Sequence, residues 1–500
     1  MSQPLNYAST ALRRSEKGPF SAVPVIVTAC LAAVLMGLFA ITASPIVIAL
    51  AAAAIVSPML LMRPWIAVWV LVAGGLLIAG ILPIWAEGQA NRVVWALSAI
   101  AFLLVFVLLV RVITSSAIRR ETPAFIWAAL AFMAFSFINT LLQWQDAYQA
   151  LSGFKRYFQA VGLMVAIAWL AASDAQMARM RRFIVLVALM QLPWAAYELF
   201  RLVPIREATR ALYPGMIPFD VVAGTFGANL TKGGANGEMA TFLIIVMAFL
   251  LSRVRHRVGG ATRHFWIAPL IALPLFMGET KVMVVLIPLL FITLYRSELF
   301  SRPLVGLAGL GIGAVLTVGV TMTYLAIVDK DLTTQINSTL DYNFRDRGYS
   351  GLLLNRTTVL GHWISEQGLA NPVSAVLGNG LGAAHDATGG HISRQYIGYG
   401  VGLTGASTLL WDCGLVGFAL FVSVLILAWR TAGALVQSAT ESWVKADAAA
   451  IQAAMPLFAF FLFYRVTLFE GLPFQLFFYG LLGYLAWLAI RKTEVTTRER

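Results

Sequence analysis

Four basic side chains, from three parts of the chain, are of the kind that bind phosphorylated ligands. Arg206 and Arg210 are four positions apart, so on a short helix they would share one face and could hold a diphosphate from one side. The other two are Lys281, two residues after Glu279, and Arg356. We interpret all four as candidate diphosphate-binding residues. The alternatives are that the arginine pair snorkels from an interfacial helix and that Lys281 merely neutralises Glu279.

Three residues are candidates for taking a proton from a hydroxyl group, namely His385, His391 and Glu279. The two histidines are six positions apart and Asp386 follows the first, a pattern that could also hold a metal ion. No helical register brings these histidines together and no cysteine accompanies them. We therefore favour a histidine that acts as a base or as a phosphate hydrogen-bond donor, and we expect no metal.

Two further features could position such a site. Asp412 and Arg465 both lie in apolar segments, and buried charges of opposite sign commonly neutralise each other, so we expect a structural ion pair for both. The glycine-rich stretch 224–238 permits close approach of the backbone and leaves amide donors at the start of the next helix, where the helix dipole also favours an anion.

The composition determines the fold class that must carry these residues. Of the 500 residues, 60% are hydrophobic and only 12% are charged, which excludes a soluble domain of this size. The apolar runs have about the length that crosses roughly 30 Å of hydrocarbon as a helix, and they lack the alternation of a membrane barrel. The sequence therefore predicts an all-α, polytopic helical membrane bundle.

We predict about fourteen spans from the apolar runs and their breaks. They lie near 22–41, 44–62, 65–85, 93–113, 123–142, 157–172, 183–200, 236–252, 265–278, 281–295, 303–327, 404–429, 449–468 and 473–490. The two short spans around 278–281 could instead form a re-entrant hairpin. These spans divide the chain into a tail (1–21), a membrane region (22–327, including an outer loop at 201–235), a long loop (328–403), a second membrane region (404–490) and a tail (491–500).

The basic residues predict the orientation. Short cytoplasmic loops carry an excess of lysine and arginine, which places both termini inside and the loop 328–403 outside. The net charge of +13 partly reflects this topology and attraction to anionic lipid, so we do not expect nucleic-acid binding. In the long loop, Leu360, Trp363 and Ile364 recur at helical spacing with Arg356 on the same stripe, which predicts a short amphipathic helix on the outer surface.

Five short motifs follow one another along the chain. They are Phe226-Gly227-Ala228-Asn229, Glu279-Thr280-Lys281, Arg356 with Trp363, Gly378-Asn379-Gly380-Leu381-Gly382, and Trp411-Asp412-Cys413-Gly414-Leu415-Val416-Gly417. In this order and at these topological positions they resemble the O-antigen ligase and Wzy-type polysaccharide polymerase family. The resemblance covers roughly residues 190 to 430, whereas the first six predicted spans match only as generic membrane sequence.

The resemblance implies an integral membrane glycosyltransferase that uses a polyprenyl-diphosphate-linked glycan as donor at the periplasmic face, without metal or other cofactor. It implies that Lys281 stands where the family usually carries an arginine, and that Arg356 stands at a loop arginine thought to hold the donor diphosphate. The ligases typically carry a histidine about eleven residues before the Gly-Leu-Val-Gly segment, where this chain has Leu403. That departure favours a polymerase over a ligase.

We therefore predict a polysaccharide polymerase of the bacterial inner membrane. Its partners would be the polyprenyl-diphosphate-linked donor, an acceptor glycan, membrane lipids and other polysaccharide assembly proteins. An O-antigen ligase is the first alternative, and a flippase or other transporter of lipid-linked glycans is the second. A transporter would favour internal repeats, which the sequence lacks, and it needs no long outer loop, which an enzyme can use as a lid. A non-catalytic scaffold is a third possibility.

Overall fold

A computed structural model describes residues 63–213, 216–231, 233–278, 281–328, 333, 337, 340–341, 343–344, 352–368, 370–386 and 389–498. The predicted spans 22–41 and 44–62 lie outside these residues. Contacts divide the chain into the units Met1–Ala67 and Val68–Arg500. The described part of the first unit, residues 63–67, begins the helix Pro64–Ala73. All other observations concern the second unit.

The described residues form helices and connecting turns, without any strand. The α-helices in chain order are α1 (Pro64–Ala73), α2 (Leu82–Trp85), α3 (Glu87–Thr114), α4 (Ser116–Glu121), α5 (Ala124–Leu142), α6 (Ala147–Phe158), α7 (Val161–Trp169), α8 (Asp174–Tyr197), α9 (Val203–Thr209), α10 (Asn236–Arg255), α11 (Ala261–Ala272), α12 (Met283–Ser301), α13 (Pro303–Val328), α14 (Thr358–Glu366), α15 (Pro372–Leu377), α16 (His391–Gln395), α17 (Gly405–Ser438), α18 (Ser442–Tyr464) and α19 (Leu472–Arg498).

Nine of the described helices are long and apolar enough to cross a membrane. They are Arg92–Thr114, Ala124–Leu142, Asp174–Leu212, Asn236–Arg255, Met283–Ser301, Pro303–Thr323, Gly405–Ser438, Ser442–Tyr464 and Leu472–Arg491. This chain is therefore a helical membrane protein, as its composition predicts. The count of about fourteen spans stays a prediction, because two predicted spans lie outside the described residues and the longest apolar helices within the predicted spans 65–85, 157–172 and 265–278 are short.

The bundle has two chemically different ends. At one end, which we call the loop end, α10, α12, α17 and α19 begin and α18 terminates. Arg491, Asp174 and Glu441 meet at the other, which we call the basic end, where Arg491 Nε lies 2.9 Å from Asp174 Oδ1 and Nη1 lies 2.9 Å from Glu441 Oε1. Arg253 also pairs there, with Asp447, through Nη2 at 2.8 Å from Oδ2.

A π-helical turn, Glu198–Leu202, joins α8 to α9 at the loop end. The fully buried Glu198 carboxylate accepts hydrogen bonds from the amides of Ala223 and Gly224, at 2.8 and 2.7 Å. A buried carboxylate needs such donors, because burial removes its water. Glu198 thereby holds the glycine-rich stretch 224–238 against the bundle.

Helix α17 is broken at Gly414, whose φ of 61° and ψ of −166° are not helical. The break releases the carbonyl groups of Trp411 and Asp412, which accept hydrogen bonds from the amides of Asn379 and Gly380, each at 2.9 Å. An added Cβ at Gly414 would lie 2.4 Å from the Val376 carbonyl oxygen, so only glycine allows this contact. Irregular backbone within a candidate membrane span is tolerated where protein groups satisfy its hydrogen bonds, as they do here.

Residues 352–368, 370–386 and 389–403 of the long loop fold onto the start of α17. A hydrophobic cluster joins the two parts and consists of Trp363, Ala375, Ala383, Ala384, Ile392, Val401, Leu410 and Trp411. The predicted amphipathic helix exists as α14, but Val359 and Trp363 form its buried side, whereas Ile364 is 61% exposed. Of the apolar residues in the predicted stripe, Trp363 is therefore the one that α14 buries, together with Val359.

Candidate functional site

A carboxylate at the loop end lies among several cations. Asp220 belongs to the 3-10 turn Pro218–Val221, and Asn236 Nδ2 donates to its Oδ1 at 3.2 Å. Burial raises the pKa of the Asp220 carboxyl. Three cations act in the opposite direction, namely Arg465, Arg206 and Lys281. Since these cations come from three separate segments of the chain, tertiary folding concentrates positive charge at one place. We call these four residues the Asp220 cluster.

Arg206 and Arg210 have different environments. Arg206 is fully buried at the end of α9, and its Nη2 donates to the Ile217 carbonyl at 2.8 Å while Nη1 donates to the Asn229 carbonyl. Arg210 is exposed, and its Nη1 lies 3.4 Å from Glu207. The expected shared face does not form, because α9 ends at Thr209 and a 3-10 turn starts at Arg210. Only Arg206 of this pair acts on Asp220 in the described structure.

Arg465 follows the last residue of α18 and connects to the start of α10. Its Nη1 donates to the Gly234 carbonyl at 2.9 Å and lies 3.4 Å from Oε2 of the buried Glu238. The expected ion pair with Asp412 is wrong. Asp412 instead accepts hydrogen bonds from Tyr157 and two main-chain amides, because the loop that inserts at the α17 break surrounds it with donors.

Arg356 lies beside this cluster, against the residue that precedes Arg465. Its Nε donates to the Tyr464 carbonyl at 2.8 Å, its guanidinium carbon lies 4.5 Å from the centre of the Tyr464 ring, and Nη1 donates to Asn343 at 2.8 Å. A cation above a tyrosine ring is stabilised by the ring quadrupole. Val282, the neighbour of Lys281, packs near the same ring across Gly237. The candidate cations Arg206, Lys281 and Arg356 are therefore grouped at the loop end.

A second group of charges surrounds the candidate base His385. His385 Nδ1 lies 2.5 Å from Glu470 Oε1, and Arg156 Nη1 donates to the same oxygen at 2.9 Å. Burial raises the pKa of Glu470, but His385 and Arg156 outweigh this effect and lower it to about 2. We call His385, Glu470 and Arg156 the His385 triad. One 3-10 turn, Val466–Phe469, separates Arg465 of the Asp220 cluster from Glu470 of the triad.

The other two candidate bases are placed differently. His391 Nδ1 lies 3.3 Å from Gln149 Oε1, and burial followed by the nearby Arg394 lowers the pKa of His391. Glu279 lies outside the described residues. Among the candidates that the structure describes, His385 alone contacts a carboxylate that can orient it.

Several residues of these groups were not among the sequence candidates. Asp220, Arg156 and Glu470 were missed, and so was Lys155, whose pKa is lowered to about 8, first by burial and then by Arg156. A signal for Lys155 and Arg156 existed, because both precede the predicted span 157–172 on the predicted outer side, where basic residues are disfavoured. Asp220 carried no such signal, since an acidic residue in an outer loop is ordinary.

This arrangement can stabilise a doubly charged phosphorylated group and move a proton nearby. Fixed guanidinium and ammonium groups stabilise charge that develops on a leaving oxygen, and a histidine oriented by a carboxylate can serve as a base. In comparisons with known proteins, no protein-family model matches the chain and no curated protein matches it significantly.

Proposed function

We propose that this protein is a membrane glycosyltransferase that polymerises a cell-surface polysaccharide. It would transfer glycan from a polyprenyl-diphosphate-linked donor to an acceptor glycan at the periplasmic face of the bacterial inner membrane. One observation carries the proposal. Cations from three separate segments, Arg206, Lys281 and Arg465, all act on the half-buried Asp220 at one end of a helical membrane bundle.

The chemistry of glycosyl transfer explains the need for such a cluster. Breaking a glycosyl–diphosphate bond develops negative charge on the leaving oxygens, and preorganised cations stabilise that charge. Arginine binds phosphate through a planar pair of donors, whereas lysine acts as a compact point charge. We assign Arg206, Lys281, Arg465 and Arg356 to the donor diphosphate. Asp220 would balance their charge while no donor is bound.

The acceptor must lose its hydroxyl proton as the new bond forms. We assign this step to His385, because Glu470 contacts its Nδ1 and would stabilise the imidazolium that results. Arg156 keeps Glu470 ionised and thereby supports that role. Attack from the face opposite the diphosphate would invert the configuration of the sugar. Lys155, with its lowered pKa, is the second candidate for the base.

The long loop supports an enzyme rather than a transporter. Its described part is bound to the broken α17 by main-chain hydrogen bonds and by a hydrophobic cluster. The same loop supplies both His385 and Arg356, so it would close over a donor that enters from the bilayer and bring the proposed base with it. Leu403 at the position where the ligases have a histidine favours polymerase over ligase.

The test is transfer by purified protein. We expect the wild type, supplied with a polyprenyl-diphosphate glycan in the presence of a chelator, to yield longer lipid-linked products. Lys281→Ala and Arg356→Ala should each abolish them at unchanged protein level, whereas Arg201→Ala, at an exposed position of the same end, should not. Transfer to a lipid A core acceptor alone would indicate a ligase. Translocation without any new glycosidic bond would indicate a transporter, and full chain length in both variants would refute the diphosphate site.

A further inference from the structure

A cavity of about 400 Å³ lies inside the membrane bundle, apart from the Asp220 cluster and the His385 triad. Helices α7, α8, α10, α11 and α19 form most of its wall. Its polar residues include Arg253 and Tyr484, which bind Asp447 at the basic end. The cavity therefore belongs to the half of the bundle that faces away from the long loop.

The inner wall of the cavity is apolar. Leu163, Met177, Leu250 and Leu476 are examples of the buried side chains that line it. Along α19 the lining extends from Leu476 to Tyr484, which at 1.5 Å per residue is about 12 Å. That length is more than a third of the roughly 30 Å hydrocarbon layer. Such a space suits part of an acyl chain.

The polar part of the lining is strongly basic. Four arginines line the cavity, namely Arg181, Arg182, Arg253 and Arg263, and its lining contains no carboxylate among the described residues. Asp447, behind the wall, is engaged by Arg253 at 2.8 Å and lies 3.7 Å from Arg181. One carboxylate thus offsets one of the four charges, and about three positive charges remain.

Two of these arginines lie at the rim. Arg182 and Arg263 are exposed, and within the part of the chain that the structure describes neither forms an ion pair. An apolar cavity with cations at its mouth matches an amphiphile with an anionic head. The apolar wall would contact the hydrocarbon chain, and the arginines would contact the charged head group. A segment of this chain fits less well, since residues 1–62 contain a single acidic residue, Glu16.

We propose that the cavity binds one anionic phospholipid of the surrounding leaflet, with an acyl chain against the apolar wall and the phosphate between Arg182 and Arg263. This site is independent of the proposed glycan transfer, because it shares no residue with the Asp220 cluster or the His385 triad. The lipid would fill the space between α8, α10, α11 and α19 and thereby stabilise the bundle.

The experiment compares lipid binding by the full chain in detergent. Delipidated protein is titrated with phosphatidylglycerol, phosphatidylcholine or inorganic phosphate, and thermal unfolding and native mass spectrometry are recorded. We expect phosphatidylglycerol alone to raise Tm and to add one lipid mass. The variant Arg182→Gln/Arg263→Gln should bind roughly tenfold more weakly, because each lost arginine removes a charge-assisted contact. Arg111→Gln, which removes one exposed charge outside the cavity, is the matched control.

A second variant distinguishes loss of lipid binding from loss of folding. Val185→Phe places a larger apolar group on the cavity lining and should block the added lipid mass while the protein still unfolds cooperatively. Equal responses to phosphatidylcholine or to phosphate alone would overturn the proposal, as would wild-type lipid binding in the double arginine variant. A photocrosslinker at position 185 that attaches to residues 1–62 rather than to lipid would also overturn it.

Discussion

At the scale of single residues, the chemistry depends on which charges share an environment. Asp220 is a half-buried carboxylate among cations, so the charge of the cluster is partly neutralised before a ligand binds. A diphosphate would then compete with the Asp220 carboxylate for the cations, and the diphosphate carries more negative charge. Arg206 and Arg210 differ in their environment, because Arg206 is buried whereas Arg210 is exposed and forms an ion pair with Glu207.

Replacing Arg465 should therefore reduce glycan transfer far more than replacing Arg210. We expect Arg465→Gln to lower kcat by roughly 10²–10³-fold, the usual effect of removing one group that stabilises developing charge. Arg210→Gln should remain within about twofold of the wild type, since exposed ion pairs contribute little. Product formation by both purified variants is the measurement. Equal losses in the two variants would contradict the assignment of Arg465 to the cluster.

The His385 triad should make stability depend on pH in acid. The pKa of Glu470 is lowered to about 2 from 4.5, so its ion pairs stabilise the folded state above about pH 4.5 and this contribution is lost as the pH falls towards 2. We expect Glu470→Gln to unfold more easily than the wild type at pH 7, and the difference to shrink between pH 4.5 and 2. Chemical unfolding of detergent-solubilised protein measures it. Glu207→Gln, at an exposed ion pair, should show no such trend.

At the scale of elements, the break in α17 is the feature to which the long loop binds. The carbonyls it releases bind Asn379 and Gly380, and the Asp412 carboxylate accepts from the amides of Gly382 and Ala384 at 2.9 Å each. His385 follows directly on Ala384. The hydrogen bonds at the helix break therefore fix the backbone next to His385.

An alanine at this break should disturb the loop before it disturbs the bundle. Gly414→Ala adds a Cβ at a left-handed φ and 2.4 Å from the Val376 oxygen, which should cost about 1–3 kcal/mol. We expect faster proteolysis of the loop and a loss of glycan transfer. Gly361→Ala is the matched control, because nothing lies within 4 Å of its added Cβ in the interior of α14. That substitution should be neutral or stabilising by about 0.5–1 kcal/mol.

At the scale of the whole molecule, charge is distributed unequally between the two ends. The basic end contains arginines engaged by Asp174, Glu441 and Asp447, whereas the loop end groups its cations around a proposed site. The positive-inside rule then predicts that the basic end is cytoplasmic.

Cysteine labelling tests that orientation. In a chain with Cys30 and Cys413 replaced by alanine, we expect Arg210→Cys to react with an impermeant maleimide from the periplasmic side of intact cells. Arg263→Cys should react only after the inner membrane is opened. Both positions are exposed in the structure, so the contrast depends on sidedness and not on burial. Labelling of both from the same side would refute the topology.

The sequence by itself determined the class of protein and the types of residue that could act. Apolar runs of span length indicate a membrane protein directly. Each run must cross the hydrocarbon layer, whichever helices pack beside it. In the same way, Lys281 stands out because apolar runs flank it on both sides. Local periodicity also placed a helix at α14.

Only the tertiary structure decided which of these residues meet. Arg206 and Arg210 are equivalent in sequence, and a single change from α-helix to 3-10 turn separates their environments. Arg465 pairs with Glu238 rather than with Asp412, and Glu470 joins His385 across 85 positions of the chain. The physical reason is that hydrophobic burial is a property of each segment, whereas a charge takes the partner that packing brings within a few ångströms.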